Sequence, residues 1–343
     1  MKQPFETMPT VLTAEEIVGK MIRESEKTEV ALPQRLPAIT KAKRREASRV
    51  KVCERASAGY LETLVHSVPT IERLHPFYRE ILEIQSGVAE IKSALGRLSR
   101  AARIIREVAR ESGRKIRFAK TPQEAGKVRR AFIGRAASIV RGAREDLELI
   151  AEMREKMKDL PAADPSVPTV VLAGYPGVGK STILRAISKA KPEVRPYPFT
   201  TKELMIGHVL IGRRLVQVVD TPGVLDRLVV EMNPTERLSI IALGSLANLI
   251  AFIVDASEAN GFSLESQRSL RDVISSAFPG KKILTFLNKS DIASQDQLSR
   301  AVALLGESEL MVAAKGEGLD EFKKRVIGAL GTFEGPEWRG EGF

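Results

Sequence analysis

Residues 174–181 carry the most specific chemistry in the chain. They read GYPGVGKS, in which Gly174 and Gly179 flank four residues and are followed by Lys180 and Ser181. Glycines let backbone N–H groups turn inward around phosphate oxygens, while the lysine reaches the β- and γ-phosphates and the serine binds Mg²⁺. An apolar run precedes the loop and a helical pattern follows it, as such a loop requires. The predicted contacts to the nucleotide are Gly174, Tyr175, Pro176, Gly177, Val178, Gly179, Lys180, Ser181 and Thr182.

The tetrapeptide NKSD indicates which base is bound. It begins 108 residues after Lys180 and follows an apolar run. The carboxylate of Asp291 can accept hydrogen bonds from the ring N–H and the exocyclic amine of guanine, which adenine does not offer in that arrangement. The aliphatic stem of Lys289 can pack along the base. Asn288, Lys289 and Asp291 are therefore predicted guanine-site residues, and the predicted cofactors are GTP or GDP with Mg²⁺.

Two segments between these motifs are predicted to respond to the γ-phosphate. In DTPG, the carboxylate of Asp220 can hold Mg²⁺ through water, and the N–H of Gly223 can sense the phosphate. In PYPFTT, one threonine should bind Mg²⁺; we favour Thr201, with Thr200 as the alternative. The predicted catalytic residues are Lys180, Thr201 and Gly223, and the predicted metal ligands are Ser181, Thr201 and Asp220.

The residue after DTPG leaves a gap in this catalytic set. Val224 stands where Ras-like enzymes place a glutamine that orients the attacking water, so we expect slow intrinsic hydrolysis. Gly177 has no side-chain oxygen to help hold a potassium ion, and we therefore expect weak stimulation by potassium. Side chains that could compensate are His208, Arg195, Arg213, Arg214 and Arg227, although a solvated surface position is the better interpretation of each arginine.

Apolar spacing divides the chain into two kinds of structure. Helices are predicted from a capping box at Thr13 and Glu16, and over 39–66, 76–85, 88–111 and 122–159. Strands are predicted over 169–173, 215–219, 249–254, 283–287 and 310–312, with helical stretches between them. The predicted fold is α plus α/β: a basic helical bundle over 1–160, a Pro-rich linker over 161–168, a domain with a mainly parallel sheet covered by helices over 169–330, and a flexible tail over 331–343.

The net charge of +11 is concentrated in the helical half. Residues 1–167 carry 33 Lys and Arg against 23 Asp and Glu, whereas the remainder carries 21 against 20. Arginines three and four residues apart fall on one helix face if the helix continues through Gly113. Few aromatic residues lie among them, so recognition of RNA shape and backbone fits better than base stacking. The predicted RNA-binding residues are Arg103, Arg106, Arg110, Arg114, Arg117, Arg129 and Arg130.

Several other functions fit the sequence poorly. Cys53 is the only cysteine, which excludes an intrachain disulfide and a cysteine-based zinc site. The first residues lack the apolar core of a signal peptide, and the longest uncharged run, 238–254, is too short for a membrane span. A metabolic kinase would need an acceptor site rather than switch segments. A membrane-associated signalling GTPase remains the alternative, although no lipidation motif supports it.

The motifs together resemble the Obg-like branch of the translation-factor GTPases. GYPGVGKS, YPFTT, DTPG, NKSD and VAAKGEGLDEF carry that resemblance, while DTPGVLDR and DASEANGFSLESQ are most similar to the nucleolar GTP-binding protein family in its short archaeal form. The resemblance extends over about residues 10–330. It implies that Ala314 and Lys315 lie against guanine and that Ala313 replaces a serine, with loss of one side-chain contact.

The same resemblance implies a role in large-subunit assembly. The expected function is a GTPase, slow alone and stimulated by the ribosomal particle, that binds rRNA through its basic helices. The expected partners are the pre-ribosomal large subunit and rRNA, with ribosomal proteins or other assembly factors in addition. We expect a cytoplasmic monomer without stable membrane association.

Overall fold

The computed structural model describes residues 4–31, 33, 35–158, 160, 167–188, 191–196, 203–212, 214–220, 225 and 244–331. Two compact units divide the chain. The helical unit comprises Pro4–Arg73 and Gln85–Lys158, and the sheet unit comprises Leu74–Ile84 with the residues from Asp159 onward. The predicted helical bundle and the predicted sheet domain both appear, so the predicted fold class is confirmed.

The helical unit is built around one long helix. Its helices are α1 (Ala14–Lys27), α2 (Ala38–Glu54), α3 (Tyr60–Ser67), α5 (Val88–Phe118), α6 (Pro122–Gly142) and α7 (Arg144–Lys158), and one π-helical turn (Arg55–Gly59) joins α2 to α3. Helix α5 packs against α2, α3, α6 and α7. Its buried side, which includes Leu98, Ile105 and Ile116, supplies much of the core. The hydroxyl of Thr13 caps α1 through the N–H of Glu16, as predicted.

Helix α5 is longer than its sequence pattern indicates. The predicted end lies at residue 111, but the helix continues through Gly113 to Phe118. A glycine in a helix interior costs about 1 kcal/mol relative to alanine. Ser112 and Ile116 are buried beyond the predicted end, and burial of an isoleucine side chain stabilises by about 1.5–3 kcal/mol. Packing therefore outweighs the local preference of Gly113.

The predicted helix over 122–159 is two helices. It breaks at Ala143, whose φ of −96° and ψ of 12° depart from helical values, and α7 begins at the next residue. The hydroxyl of Thr121 accepts a hydrogen bond from the N–H of Glu124, which fixes the start of α6. Gly142 precedes the break, but Gly126 and Gly134 lie inside α6, so a glycine alone does not identify the helix end in the sequence.

The sheet unit contains a mixed sheet. Its described strands lie in the order β2-β3-β4-β1-β5-β6-β7, antiparallel among the first three and parallel from β4 to β7. The strands are β1 (Thr169–Ala173), β2 (Glu193–Pro196), β3 (Glu203–Ile211), β4 (Arg214–Asp220), β5 (Leu249–Asp255), β6 (Lys282–Asn288) and β7 (Ser308–Leu310). The helices of this unit include α8 (Lys180–Ile187), α9 (Leu264–Ala277), α10 (Gln295–Leu305) and α11 (Leu319–Leu330). The sequence pattern did not reveal β2. The strand expected to begin at Gly207 and His208 is present as β3 but begins at Glu203, and β7 begins two residues before its predicted position.

Helix α4 (Pro76–Ser86) belongs mostly to the sheet unit although it lies within the predicted bundle segment. Phe77 and Tyr78 are buried, with ring centroids 5.0 Å apart in an edge-on arrangement. The hydroxyl of Ser245 donates to the carboxylate of Glu80 at 2.7 Å. The division of the structure is therefore interleaved in sequence, whereas the predicted boundary at residue 160 is a single point.

Candidate functional site

The carboxyl ends of the parallel strands gather the predicted nucleotide-binding motifs. Strand β1 leads into the GYPGVGKS loop, β4 ends at Asp220, and β6 ends at Asn288. Pairing of β1 with β4 and β5 places these ends at one edge of the sheet. In open α/β sheets this edge is where ligands bind.

The glycines of the loop are required by its close surroundings. Gly174 and Gly179 have φ values of 135° and 104°, which residues with a Cβ rarely adopt. A Cβ at Gly174 would lie 2.3 Å from the carbonyl oxygen of Ile253, and one at Gly179 would lie 2.3 Å from Nδ2 of Asn288. The loop is thus pressed against β5 and against the NKSD motif.

Lys180 is positioned inside the loop. It is the first residue of α8 and is 6% exposed. Its ammonium donates to the carbonyl oxygens of Gly174 at 2.6 Å and of Tyr175 at 3.0 Å. A buried cation at a helix N-terminus attracts anionic oxygens such as those of a phosphate. The geometry therefore matches the role predicted for Lys180.

Ser181 and Asp220, the two predicted Mg²⁺ ligands that the structure describes, contact each other beside the loop. The Ser181 hydroxyl donates to the Asp220 carboxylate, which is fully buried at the end of β4. Hydroxyl and carboxylate oxygens are the hard donors that Mg²⁺ prefers. The donor set fits the predicted metal, which when bound would supply positive charge to the phosphate oxygens.

Asn288 connects three segments of the site. Its side-chain amide donates to the carbonyl oxygen of Val178 at 2.7 Å, and its side-chain oxygen accepts from the N–H of Ala313 at 2.9 Å. Asn288 and Ala313 are both buried. Asn288 therefore holds the phosphate loop and the 313–315 turn in fixed positions, and the buried Ala313 lies beneath the exposed Ala314 and Lys315.

Asp291 is exposed and already engaged by a lysine. Its carboxylate lies 2.8 Å from the ammonium of Lys315. That hydrogen bond and the positive charge lower the pKa of Asp291 and raise the pKa of Lys315. A lowered pKa keeps Asp291 ionised as the pH falls below its ordinary titration range, so the carboxylate stays an acceptor for guanine N–H groups.

Lys289 forms an ion pair with Asp255, a residue that was not among the predicted site residues. Its ammonium lies 2.7 Å from the carboxylate of Asp255, which is fully buried at the end of β5. The same carboxylate accepts hydrogen bonds from Ser257 and from the N–H of Asn260 at 3.0 Å. Lys289 adopts a φ of 59°, which its anchored amine helps to maintain. The signal in the sequence was an aspartate at a strand end, the same position that Asp220 occupies.

The loop after β5 also supports the phosphate loop directly. The rings of Phe262 and Tyr175 stack with centroids 3.9 Å apart and an interplanar angle of 12°. The side-chain amide of Asn260 donates to the carbonyl oxygen of Pro176 at 3.4 Å. Gln267, fully buried on α9, donates to the carbonyl oxygens of Asp255 and Phe262 at 3.1 Å. The segment DASEANGFSLESQ thus braces two nucleotide motifs at once.

Several residues considered above for the response to the γ-phosphate or for hydrolysis lie outside the described residues. These are Thr200, Thr201, Gly223, Val224, Arg213 and Arg227, as well as the side chain of Arg195. Arg214 lies at the start of β4, at the opposite end of the strand from Asp220, and its guanidinium donates to the carbonyl oxygen of Gly331. His208 lies in the middle of β3, paired with Gln217 of β4. Their positions support neither as a catalytic group.

The seven predicted RNA-binding arginines have different environments. Because α5 is continuous through Gly113, its five arginines share one face, as predicted. Arg106, however, pairs with Glu62 of α3, and Arg129 pairs at 2.6 Å with Glu46, whose side chain is 5% exposed. Both arginines are partly buried, and these ion pairs hold helices together. The exposed members, none of which forms an ion pair among the described residues, are Arg103, Arg110, Arg114, Arg117 and Arg130.

The described part of the chain lacks two further features, a membrane-spanning helix and an acidic or His/Cys metal cluster. No helix there is both long enough and apolar enough to cross a membrane. Within the same residues, no cluster of three or more His, Cys, Asp and Glu side chains has the arrangement of a metal site.

The phosphate loop after β1, the aspartate ending β4 and the NKSD motif ending β6 together define a P-loop GTPase, with GTP and GDP as its ligands and Mg²⁺ as the usual metal of the class. Family profiles agree: residues 169–289 match the profile described as "50S ribosome-binding GTPase", and residues 5–164 match the "NOG1 N-terminal helical domain". The chain belongs to the nucleolar GTP-binding protein family.

Individual relatives match most of the length of this chain. An uncharacterised protein of Methanocaldococcus jannaschii is 40% identical over 296 residues, which cover 86% of this chain and 83% of the relative. Nucleolar GTP-binding protein 1 of Saccharomyces cerevisiae is 32% identical over 308 residues, covering 90% of this chain and 48% of the relative. The Caenorhabditis elegans protein of that name is 30% identical and is covered to 45%. The chain thus spans about half the length of these two eukaryotic relatives.

Proposed function

We propose that this chain is a GTP-hydrolysing assembly factor for the large ribosomal subunit and that its helical unit binds rRNA. The observation that carries the proposal is the arginine face of α5, defined as Arg103, Arg110, Arg114 and Arg117. Four exposed guanidiniums on one helix face, without ion-pair partners among the described residues, suit contact with a phosphate backbone. The family profiles support the ribosomal context of the GTPase.

The GTPase half has little surplus charge and a different task. Lys180 is positioned for the β- and γ-phosphates, Ser181 and Asp220 for Mg²⁺, and Asp291 for guanine. We further propose that Thr201 binds Mg²⁺ and that the N–H of Gly223 contacts the γ-phosphate when GTP is bound. Val224 offers no group to orient water, so we expect slow hydrolysis that the ribosomal particle stimulates. We propose that the protein acts in the cytoplasm as a monomer.

The test is co-sedimentation of the purified chain with large ribosomal subunits. It is run at low and high salt, with GDP or a non-hydrolysable GTP analogue. We expect binding that weakens steeply with salt, because each phosphate contact releases a counterion. We also expect the bound fraction to depend on the nucleotide. Flotation with anionic vesicles in place of co-sedimentation would favour the membrane-associated alternative.

A charge-matched variant pair makes this test specific. Replacing the four arginines of this face with alanines should make the plot of log affinity against log salt concentration less steep. The expected change in slope corresponds to the loss of about three to four phosphate contacts. The control removes four exposed basic side chains from the sheet unit, namely Arg268, Lys282, Arg300 and Lys324. Equal loss of binding in both variants would show that only net charge matters, and would contradict a specific role for α5.

A further inference from the structure

Phe118 is the most exposed of the large apolar side chains that the structure describes. It is the last residue of α5 and is 77% exposed. An aromatic ring left in water is unfavourable unless a partner covers it, because burial of a phenylalanine side chain stabilises by about 1.5–3 kcal/mol. The ring lies one helical turn after Arg114 and beside the arginine face of α5.

The turn that carries Phe118 is firmly held. The neighbouring Ile116 and Ala119 are buried, at 1% and 2% exposure. The ammonium of Lys43 donates to the carbonyl oxygen of Arg117 at 2.8 Å, and the Thr121 cap begins α6 three residues after the ring. With its neighbours on both sides fixed, Phe118 must point outward. A rigidly presented ring loses less conformational entropy on binding than one on a loose loop.

Positive charge surrounds the ring. Arg114, Lys115, Arg117 and Lys120 are all exposed within four residues of it. The two nearby carboxylates have partners of their own: Glu111 pairs with Lys115 at 2.7 Å, and Glu124 accepts the N–H of Lys120 at 2.6 Å. An open groove of about 490 Å³ adjoins the ring, and its other lining residues are Arg114, Lys115, Val128 of α6 and the two partnered carboxylates. The site therefore combines an aromatic face with basic side chains that could contact phosphates.

We propose that Phe118 stacks on an unpaired RNA base while Arg114, Arg117 and Lys120 bind the flanking phosphates. The proposal rests on the proposed function and adds a ligand class to it, RNA with an extruded or bulged nucleotide. Every base has a π-face, so one exposed aromatic ring among cationic side chains suits such a nucleotide. The sequence alone favoured backbone recognition, because it does not show that Phe118 faces solvent.

The surroundings of the ring favour a base over a lipid or a protein. Membrane-binding helices present a broad apolar face to the bilayer. Hot spots of protein interfaces occupy desolvated pockets that exclude water. Phe118 is instead flanked by exposed charges, and the nearby apolar residues Ile116 and Ala119 are buried. A single base inserted between the ring and the basic side chains needs no wider apolar surface.

The experiment uses the full chain with GDP and two labelled RNA hairpins. One hairpin carries a single unpaired adenine in its stem, and the other has the same stem fully paired. We expect tighter binding to the bulged hairpin. Phe118→Ala should weaken binding of that probe about 5- to 150-fold and leave binding of the paired probe nearly unchanged. Phe118→Trp should retain the preference because it keeps a stacking ring.

Phe118→Leu separates stacking from simple apolar contact. Leucine keeps an apolar side chain but has no π-face, so its binding should resemble that of the alanine variant. Retained preference in Phe118→Leu would overturn the stacking proposal, as would equal affinity of the unmodified chain for both hairpins. Failure of the unmodified chain to bind either hairpin at low salt would instead contradict the RNA-binding function itself. Because the ring is 77% exposed, these variants should unfold at the same temperature as the parent chain.

Discussion

The nucleotide site and the arginine-rich helix use their charged residues in opposite ways. In the nucleotide site, charged groups are bonded to other protein groups: Lys180 to loop carbonyls, Lys289 to Asp255, and Asp291 to Lys315. On α5, Arg103 and Arg110 are exposed without such partners among the described residues. The first arrangement fixes geometry for one small ligand, while the second leaves charge available to a large one.

The difference also divides arginines that look alike in the sequence. Arg129 and Arg130 are neighbours, yet Arg129 is paired with the buried Glu46 and Arg130 is exposed. Arg106 lies on the same face as Arg103 but pairs with Glu62. Net charge therefore overstates the surface available to the proposed RNA ligand, since some of the positive charge stabilises the helical unit.

The largest effect is expected at Asp291, the carboxylate proposed to bind guanine. Asp291→Asn should reduce GTP affinity at least about a hundredfold and shift preference toward xanthine nucleotides, because the amide presents a donor where guanine also has donors. Competition between GTP and XTP against a fluorescent GDP analogue measures both effects. Asp296→Asn, an exposed change on α10, is the matched control and should leave GTP affinity unaltered. Unchanged GTP affinity in Asp291→Asn would remove Asp291 from the site.

A large effect on stability is expected from Arg129→Ala. This change leaves the buried Glu46 with only Arg45 and Arg49, and should lower the free energy of unfolding by about 1–3 kcal/mol. Urea denaturation measures the loss. Arg130→Ala is the matched control, expected to change stability by less than about 0.5 kcal/mol. Equal stability of the two variants would contradict the division drawn between these neighbours.

A smaller effect is expected from Asp255→Asn, which weakens the anchor of Lys289. The change should reduce GTP affinity about five- to tenfold, roughly the net contribution of one ordinary hydrogen bond. Calorimetric titration with GDP and GTP gives the affinities. Asp272→Asn, on the exposed surface of α9, serves as the control. A loss as large as that of Asp291→Asn would indicate that Asp255 does more than position Lys289.

The smallest effect is expected for a single exposed arginine. Arg130→Ala should weaken RNA binding only about two- to fourfold and lower the salt dependence by about one phosphate contact. Affinities of a paired RNA hairpin at several salt concentrations give this slope. Arg129→Ala, studied at a temperature where it is fully folded, should keep the slope of the parent chain. A lower slope for Arg129→Ala and an unchanged slope for Arg130→Ala would contradict the assignment of Arg130 to RNA contact and of Arg129 to the internal ion pair.

The sequence was sufficient to predict those parts of the site in which function depends on particular residue types close together along the chain. The phosphate loop, NKSD and the aspartate after β4 lie at one sheet edge because parallel strands bring their carboxyl ends together. It was insufficient where packing competes with local preference. Gly113 indicated a helix end that burial of Ile116 overrides. Gly142 does end a helix, but Gly126 and Gly134 inside α6 look the same in the sequence. The role of Asp255 at the end of β5 could not be predicted, because a single aspartate at a strand end is common and does not indicate its partner.

What the sequence by itself determined is the identity of the nucleotide site, since phosphate and guanine contacts need particular residues close together along the chain. What only the tertiary structure decided is which charges remain available. Arg129 becomes internal because α6 packs on α2, where Glu46 is buried. Phe118 becomes exposed because Lys43 and the Thr121 cap hold the turn around it. Exposure and pairing depend on residues distant in sequence, and folding alone brings these residues together.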